Sequence, residues 1–267
     1  MARLYFIFGK FKHTNFNMMT KFRLLLLSLV LGCMTTCGLA QTKKVAVVTF
    51  FANKKIDVTT LGNGKINEAL LGKVLQLRDN PKFDLNTKFN QFHDTFFNTY
   101  AKSFPFELLP ENTVTSLPAY QAFQPKVMGF STDSKDYLLP PGYQYIHDGA
   151  FGSYNEESMT AMFASMADGV MFVHILFKYE KDFGFGGLMT YKIKAYARIS
   201  LYNNKTGKKI FAINETGTSK KTFTEVAGIP TLDADDMLPA CQQAMDDLME
   251  DLNKKLEKIA KKAGEKL

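Results

Sequence analysis

Gly169-Val-Met-Phe-Val-His-Ile-Leu-Phe177 is an apolar run interrupted only by His174. Successive side chains of a strand point to opposite faces, and here both parities are apolar. The run therefore predicts a strand covered on both faces, at the centre of a sheet. The next segment differs. From Met189 to Leu201 the odd positions are Met, Tyr, Ile, Ala, Ala, Ile and Leu, and the even positions are Thr190, Lys192, Lys194, Tyr196, Arg198 and Ser200. That alternation predicts a strand with one buried and one wet face. Asn203-Asn204-Lys205-Thr206-Gly207 reads as a turn, and Lys209 to Asn214 as the returning hairpin partner.

Upstream, Val45-Ala-Val-Val-Thr-Phe-Phe51 is a β-branched run without strict alternation, which predicts a second strand covered on both faces. Ile66, Leu70, Leu71, Val74 and Leu75 recur at helical spacing until Asp79-Asn80-Pro81. Leu85, Phe89, Phe92, Phe96 and Tyr100 form one stripe of a helix over about 84–103, closed by Pro105. Phe106 to Leu109 reads as a short strand, and 113–123 as a weak helix broken at Pro118. Residues 155–166 read as a helix capped by Asn155. A long helix over about 235–262 carries Cys241, Met245, Leu248, Leu252, Leu256 and Ile259 on one side. Asp233, Asp235 and Asp236 crowd its start and five lysines its end, which complements the helix dipole. Crossovers early and a meander late imply a mixed α/β (α+β) fold: a mixed sheet of about five strands, helices packed against it, a late antiparallel meander and a long C-terminal helix.

The chain opens with a leader. Lys21 and Arg23 precede an apolar run from Leu24 to Gly32, and Gly38-Leu39-Ala40 stands before Gln41. That is the layout of a secretory signal, with a core shorter than the roughly 20 apolar residues of a membrane span. Cleavage after Ala40 is expected, as is translation from Met18 or Met19. The alternative is lipidation: Val30-Leu31-Gly32-Cys33 loosely resembles a lipobox, with Leu31 where a small residue is usual. Residues 1–40 are thus read as N-terminal extension and signal, and 41–267 as a single α/β domain with an irregular, aromatic-rich insertion at 124–154. The leader holds five basic residues and no acid, so the chain's net charge of +7 falls to +2 without it. Nucleic-acid binding loses its support. Of the three cysteines only Cys241 lies beyond the leader, so no disulfide within the exported chain is possible.

Several phrases carry a resemblance: the opening Val45-Ala-Val-Val-Thr-Phe50, the Ala167-Asp168-Gly169-Val170 step into a long apolar strand, the polar-alternating strand ending Arg198 to Leu201, the Thr206-Gly207 turn, and Phe211. Together they resemble a group of bacterial envelope proteins. It comprises the N-terminal domain of TolB, the curli secretion lipoprotein CsgG, and LpoB-type activators of penicillin-binding proteins. The match is concentrated at 45–51 and 155–220. The resemblance implies a non-catalytic module that binds or assembles other envelope components, in the periplasm or outside the cell, with outer-membrane association if Cys33 is lipidated.

Catalytic signatures are few. The sequence has no HExxH, CxxC or GxSxG, so no catalytic, cofactor or metal residue is assigned. His93-Asp94 sits on the Phe-rich helix, where adjacent positions do not face each other. His174 reads as a hydrogen-bonded core histidine. The alternative to a binding protein is a secreted hydrolase or metal-dependent enzyme using the His147-Asp148 loop. Partner-binding candidates are Lys192, Lys194, Tyr196 and Arg198 on the wet strand face, Phe183 and Phe185 in a loop read over 182–187, and Tyr143 and Tyr145 in the irregular insertion. The expected partner is an envelope protein or an anionic envelope polymer, with membrane contact only through lipidation. Oligomeric state is not specified.

Overall fold

A computed structural model describes residues 42–59, 68–126, 133–149, 153–185, 188–226, 229–230, 232–263 and 267. The leader and Cys33 lie outside the described residues, as do Ile66 and Phe151. Residues 42–267 form one compact unit. In chain order the elements are β1 (Lys44–Asn53), α1 (Glu68–Asp79), α2 (Asn86–Asn98), β2 (Glu107–Leu108), α3 (Glu111–Thr115), α4 (Pro118–Gln121), β3 (Tyr137–Leu138), α5 (Tyr154–Met162), β4 (Gly169–Phe185), β5 (Leu188–Asn203), β6 (Lys209–Val226), β7 (Ile229–Pro230) and α6 (Ala234–Ala263). The fold is mixed α/β. The sheet order is β2-β1-β4-β5-β6-β7, with β3 added antiparallel to the end of β1. β1 runs parallel to β2 and β4, and β4, β5 and β6 form the antiparallel meander.

One sheet face carries the larger core. Phe89, Phe92 and Phe96 of α2 and Cys241, Met245, Leu248 and Leu252 of α6 pack there against the odd positions of β4 and β5. The α2 stripe closes with Tyr100, whose hydroxyl donates to the Met249 carbonyl of α6 at 2.7 Å. Asp233 caps α6 by accepting the Asp235 N–H at 2.9 Å. Among the described residues the opposite face is covered at one end, by a smaller core of Ala46, Val48, Val114, Tyr120, Ile146, Phe163, Val170 and Phe172. Beyond that core the second face opens.

β1 lacks strict alternation for a reason the sequence does not announce. Val45 and Val47 face the larger core, but so do Phe50 and Ala52. Val47 pairs with Met171 and Thr49 with Phe172, so Val48 is the extra residue of a β-bulge. The bulge inverts the facing of every later β1 residue and brings Phe51 opposite His174 on the second face. The bulge carbonyl is satisfied from the side: Tyr120 Oη donates to Val48 O at 3.0 Å and accepts the Gln144 N–H at 2.9 Å.

Three expectations are corrected. Asp182-Phe-Gly-Phe185 is not a loop; β4 continues through it and pairs Phe183 with Thr190 and Phe185 with Leu188. Asp182 sits at a register shift that lets the polar, Gly-containing stretch remain in the ladder. Leu71 is exposed, while Leu70, Val74 and Leu77 form the buried side of α1. Asn155 does not cap α5. It is buried, and its amide accepts from Lys126 N–H at 2.9 Å and donates to the carbonyls of Lys126 and His147 at 3.0 and 2.8 Å.

Candidate functional site

A cleft of about 340 Å³ opens where the smaller core ends on the second face. Phe51 of β1, His174 of β4, and Tyr196 and Arg198 of β5 form its floor, and Tyr145 and His147 of the irregular segment form one wall. The described residues of that segment have almost no regular structure, yet they are fastened at several points. Thr49 Oγ1 donates to Gln144 O at 2.8 Å and accepts Ile146 N–H at 3.3 Å. Asn155 holds the His147 carbonyl, and Glu156 Oε1 accepts the Gly149 N–H at 2.6 Å. Gly149 has φ +73°, and a Cβ there would meet Arg198 Nη2 at 2.7 Å, so the chain passes directly over the guanidinium.

Asp148 is the polar centre. Its side chain is fully buried and accepts from Arg198 Nε and Nη2 at 3.2 Å each and from Tyr202 Oη at 2.8 Å. Lys209 Nζ lies 3.8 Å away. Burial works against the charge, but His174, Arg198 and Tyr202 outweigh it and hold the carboxyl at about 2. Burial opposes the Arg198 charge too, and Asp148 outweighs that as well, so its pKa is raised. The Tyr202 phenol is pushed up by burial and by the Asp148 charge.

His174 is 3 % exposed. Its Nδ1 lies 3.6 Å from Asp148 Oδ1, and its Nε2 has no hydrogen-bond partner among the described residues. The expected hydrogen-bonded core histidine is thus buried but half satisfied, at the edge of a cleft. Burial drives its pKa down to about 3 against the pull of Asp148. The His147 pKa is also lowered, again by burial first, with Asp148 and Glu156 opposing and Arg198 assisting. Both imidazoles are neutral at neutral pH, and each keeps one basic lone pair. The two rings lie 4.9 Å apart, and the Phe51 ring lies 4.5 Å from that of His174, tilted by 31°. His147, Asp148 and His174 each offer a ligand atom within 4.8 Å of the other two. Tyr145 packs edge-on to Phe51 at 4.6 Å and stacks on Tyr137 at 3.8 Å.

The wet face of β5 carries the basic partner-binding candidates, and among the described residues each of these cations is paired. Lys192 meets Asp182 at 3.1 Å, and Lys194 meets Glu180 at 2.9 Å. Tyr196 Oη donates to Glu180 Oε1 at 2.6 Å, with Lys178 Nζ 5.1 Å above its ring. Burial raises the Glu180 pKa, and its bonds to Tyr196 and Lys194 more than reverse that. Both acids come from the extension of β4 beyond Phe177, and Asp182 from the stretch that the sequence reading had taken for a loop. Of the other candidates, Tyr143 is buried in the larger core and Tyr145 is half-buried in the cleft wall. Phe183 is 61 % exposed, and the side chain of Phe185 lies outside the described residues.

His93 is also corrected. It reaches Asp94 Oδ1 at 3.6 Å with Nδ1 and Glu111 Oε1 at 2.7 Å with Nε2, and packs edge-on with the ring of Phe50 at 5.0 Å. Cys241 is fully buried and its thiol is pushed up by that burial, as expected of a core residue. The sequence reading missed His174, Phe51 and Glu156 as parts of one site. The available signal was His174 itself, the lone ionisable group in an apolar run.

No protein-family model and no curated protein matches the chain. Solved structures overlap it weakly. A lipoprotein from Neisseria meningitidis aligns at 12 % identity and TM-score 0.31, over 66 % of this chain and 82 % of that one. A protein from Helicobacter pylori described as a neuraminyllactose-binding hemagglutinin homolog aligns at 9 % and 0.33, over 85 % and 91 %. A hypothetical protein from Chlamydia trachomatis aligns at 10 % and 0.29, over 80 % and 98 %. Scores of this size carry no argument about what this chain does. Among the described residues no helix is long and apolar enough to cross a membrane.

Proposed function

We propose that this chain is an exported bacterial cell-envelope protein that binds a partner through the cleft on its second sheet face, in the manner of the TolB, CsgG and LpoB group. The leader supplies the address. The observation that carries the binding reading is the cleft itself: about 340 Å³, aromatic-walled, with a rigid sheet below and a wall fastened by Asp148, Asn155 and Glu156. A preformed concave site of this kind spends little ordering entropy on binding. Because Lys192, Lys194 and Arg198 are each ion-paired, an envelope protein suits the face better than an anionic polymer. Photo-crosslinking from position 196 in the native host, with position 71 on exposed α1 as control, tests this. One discrete adduct at 196 and none at 71 is expected, on a protein whose mature end is Gln41 or lipidated Cys33. A cytoplasmic protein with an intact leader would overturn the reading.

A second reading, metal-assisted hydrolysis at the His147-Asp148 loop, is favoured by one observation: the fold brings His174 to the same place. Metal-dependent turnover of ester or amide substrates, abolished by His147→Ala, is its test.

A further inference from the structure

We propose that His147 and His174 bind a nitrogen-preferring divalent cation of the Zn²⁺, Ni²⁺ or Cu²⁺ class at the cleft floor, with Asp148 orienting His174 and the remaining coordination positions open to the cleft. This deepens the second reading by naming the ion, but it stands on the cleft and needs no turnover.

Four observations carry it. First, His174 Nε2 is a buried ring nitrogen without a hydrogen-bond partner among the described residues, on a ring that lines the cleft, and it is an acceptor in the tautomer protonated on Nδ1 toward Asp148. A buried acceptor left unmade is costly, and a cation satisfies it. Second, the other ring nitrogen faces Asp148 at 3.6 Å. A carboxylate behind one nitrogen and a metal before the other is the usual arrangement of ligating histidine. Third, candidate ligand atoms of His147 and His174 lie within 4.8 Å. Two nitrogens at zinc distances of about 2.0–2.1 Å are about 3.3 Å apart in a tetrahedron. A rotation of half-buried His147 supplies the difference. Fourth, the oxygens are spent. Asp148 serves Arg198 and Tyr202, and Glu156 Oε1 serves the Gly149 amide. A site offering imidazole and withholding carboxylate selects against Ca²⁺ and Mg²⁺. The surroundings do not repel a dication outright, since Asp148 and Glu156 offset Arg198 and Lys209.

The test is calorimetric titration of the purified protein with ZnCl₂, NiCl₂ and CuCl₂ in a non-chelating buffer, with CaCl₂ and MgCl₂ as controls. One site for at least one of the first three, and none for the last two, is expected. His147→Ala and His174→Ala each weaken it by about tenfold or more, as does Asp148→Asn by about tenfold through the orienting contact. His93→Gln leaves it unchanged. His174 is buried, so should its variant fail to fold, half-buried His147 decides the matter, together with nitrogen hyperfine structure from two imidazoles in the Cu²⁺ spectrum of the unaltered protein. Absence of binding, or binding indifferent to His147→Ala, overturns the proposal. Metal bound without turnover removes only the hydrolytic reading. Turnover together with no metal binding in the titration overturns the inference and leaves that reading an acid–base one.

Discussion

Arg198 grips Asp148 with both Nε and Nη2, each at 3.2 Å, across a separation of 50 residues. The pair ties the irregular segment to the middle of β5, and the cleft wall depends on it. Asp148 is fully buried while Arg198 is one-third exposed, so deleting the arginine strands the carboxylate. Arg198→Ala is expected to cost about 3 kcal/mol, the lower end for breaking a buried pair. The paired change Asp148→Leu with Arg198→Met is expected to recover most of that, because it removes both desolvation costs. Urea unfolding of the two variants checks it, and a double variant as unstable as Arg198→Ala would refute it.

Tyr120 bridges the β1 bulge and the cleft wall with one hydroxyl. Tyr120→Phe keeps the ring in the smaller core but leaves Val48 O and Gln144 N–H without it. The expected loss is about 1–3 kcal/mol. Faster hydrogen exchange at Gln144 than in the bulk of β4 would show that the wall loosens first.

Much of this architecture is written in local pattern. The apolar run at Val45, the Phe89–Tyr100 stripe and the Cys241–Leu256 stripe bury the residues assigned to them, and the run at Gly169 does so except at Leu176, which is half-buried and lines the cleft instead of being covered. What stayed hidden depends on partners distant in sequence. Val47-Val48-Thr49 does not mark a bulge, since its register is set by β4. Lys181-Asp182-Phe183-Gly184 has turn composition, yet Asp182 and Glu180 are held in the ladder by Lys192 and Lys194 across the hairpin. The histidine pair needs the fold outright: His147 and His174 lie on a loop and a strand that Thr49, Asn155 and Glu156, with the Asp148–Arg198 pair, bring together.

Two glycines make opposite predictions. A Cβ on Gly217 would lie 2.1 Å from the Ala244 carbonyl and 2.2 Å from the Leu248 nitrogen, both backbone atoms of α6. β6 and α6 would have to separate, so Gly217→Ala is expected to destabilise by about 1–3 kcal/mol or more. Gly72, inside α1, has nothing within 4 Å of its Cβ position. Gly72→Ala is expected to stabilise by about 0.5–1 kcal/mol through helix propensity. Thermal melts of the two proteins should move in opposite directions.

The last prediction concerns pH and sits away from the cleft. Burial of His93 disfavours its charge, but Glu111 and then Asp94 outweigh that, so its pKa is raised above the ordinary value. The groups facing it are Glu111 from α3, Asp94 beside it, and the uncharged rings of Phe50 and Phe97. The folded state therefore holds this proton more tightly than the unfolded chain. The resulting stability is fully present below about pH 6.5, the unfolded value, and is lost as pH rises through the folded pKa. The difference in unfolding free energy between the unaltered protein and His93→Gln should thus be largest in mild acid and shrink toward alkaline pH. A difference that grows with pH, or a His93 ring resonance titrating below about 6.5, would show that burial prevails over the two carboxylates.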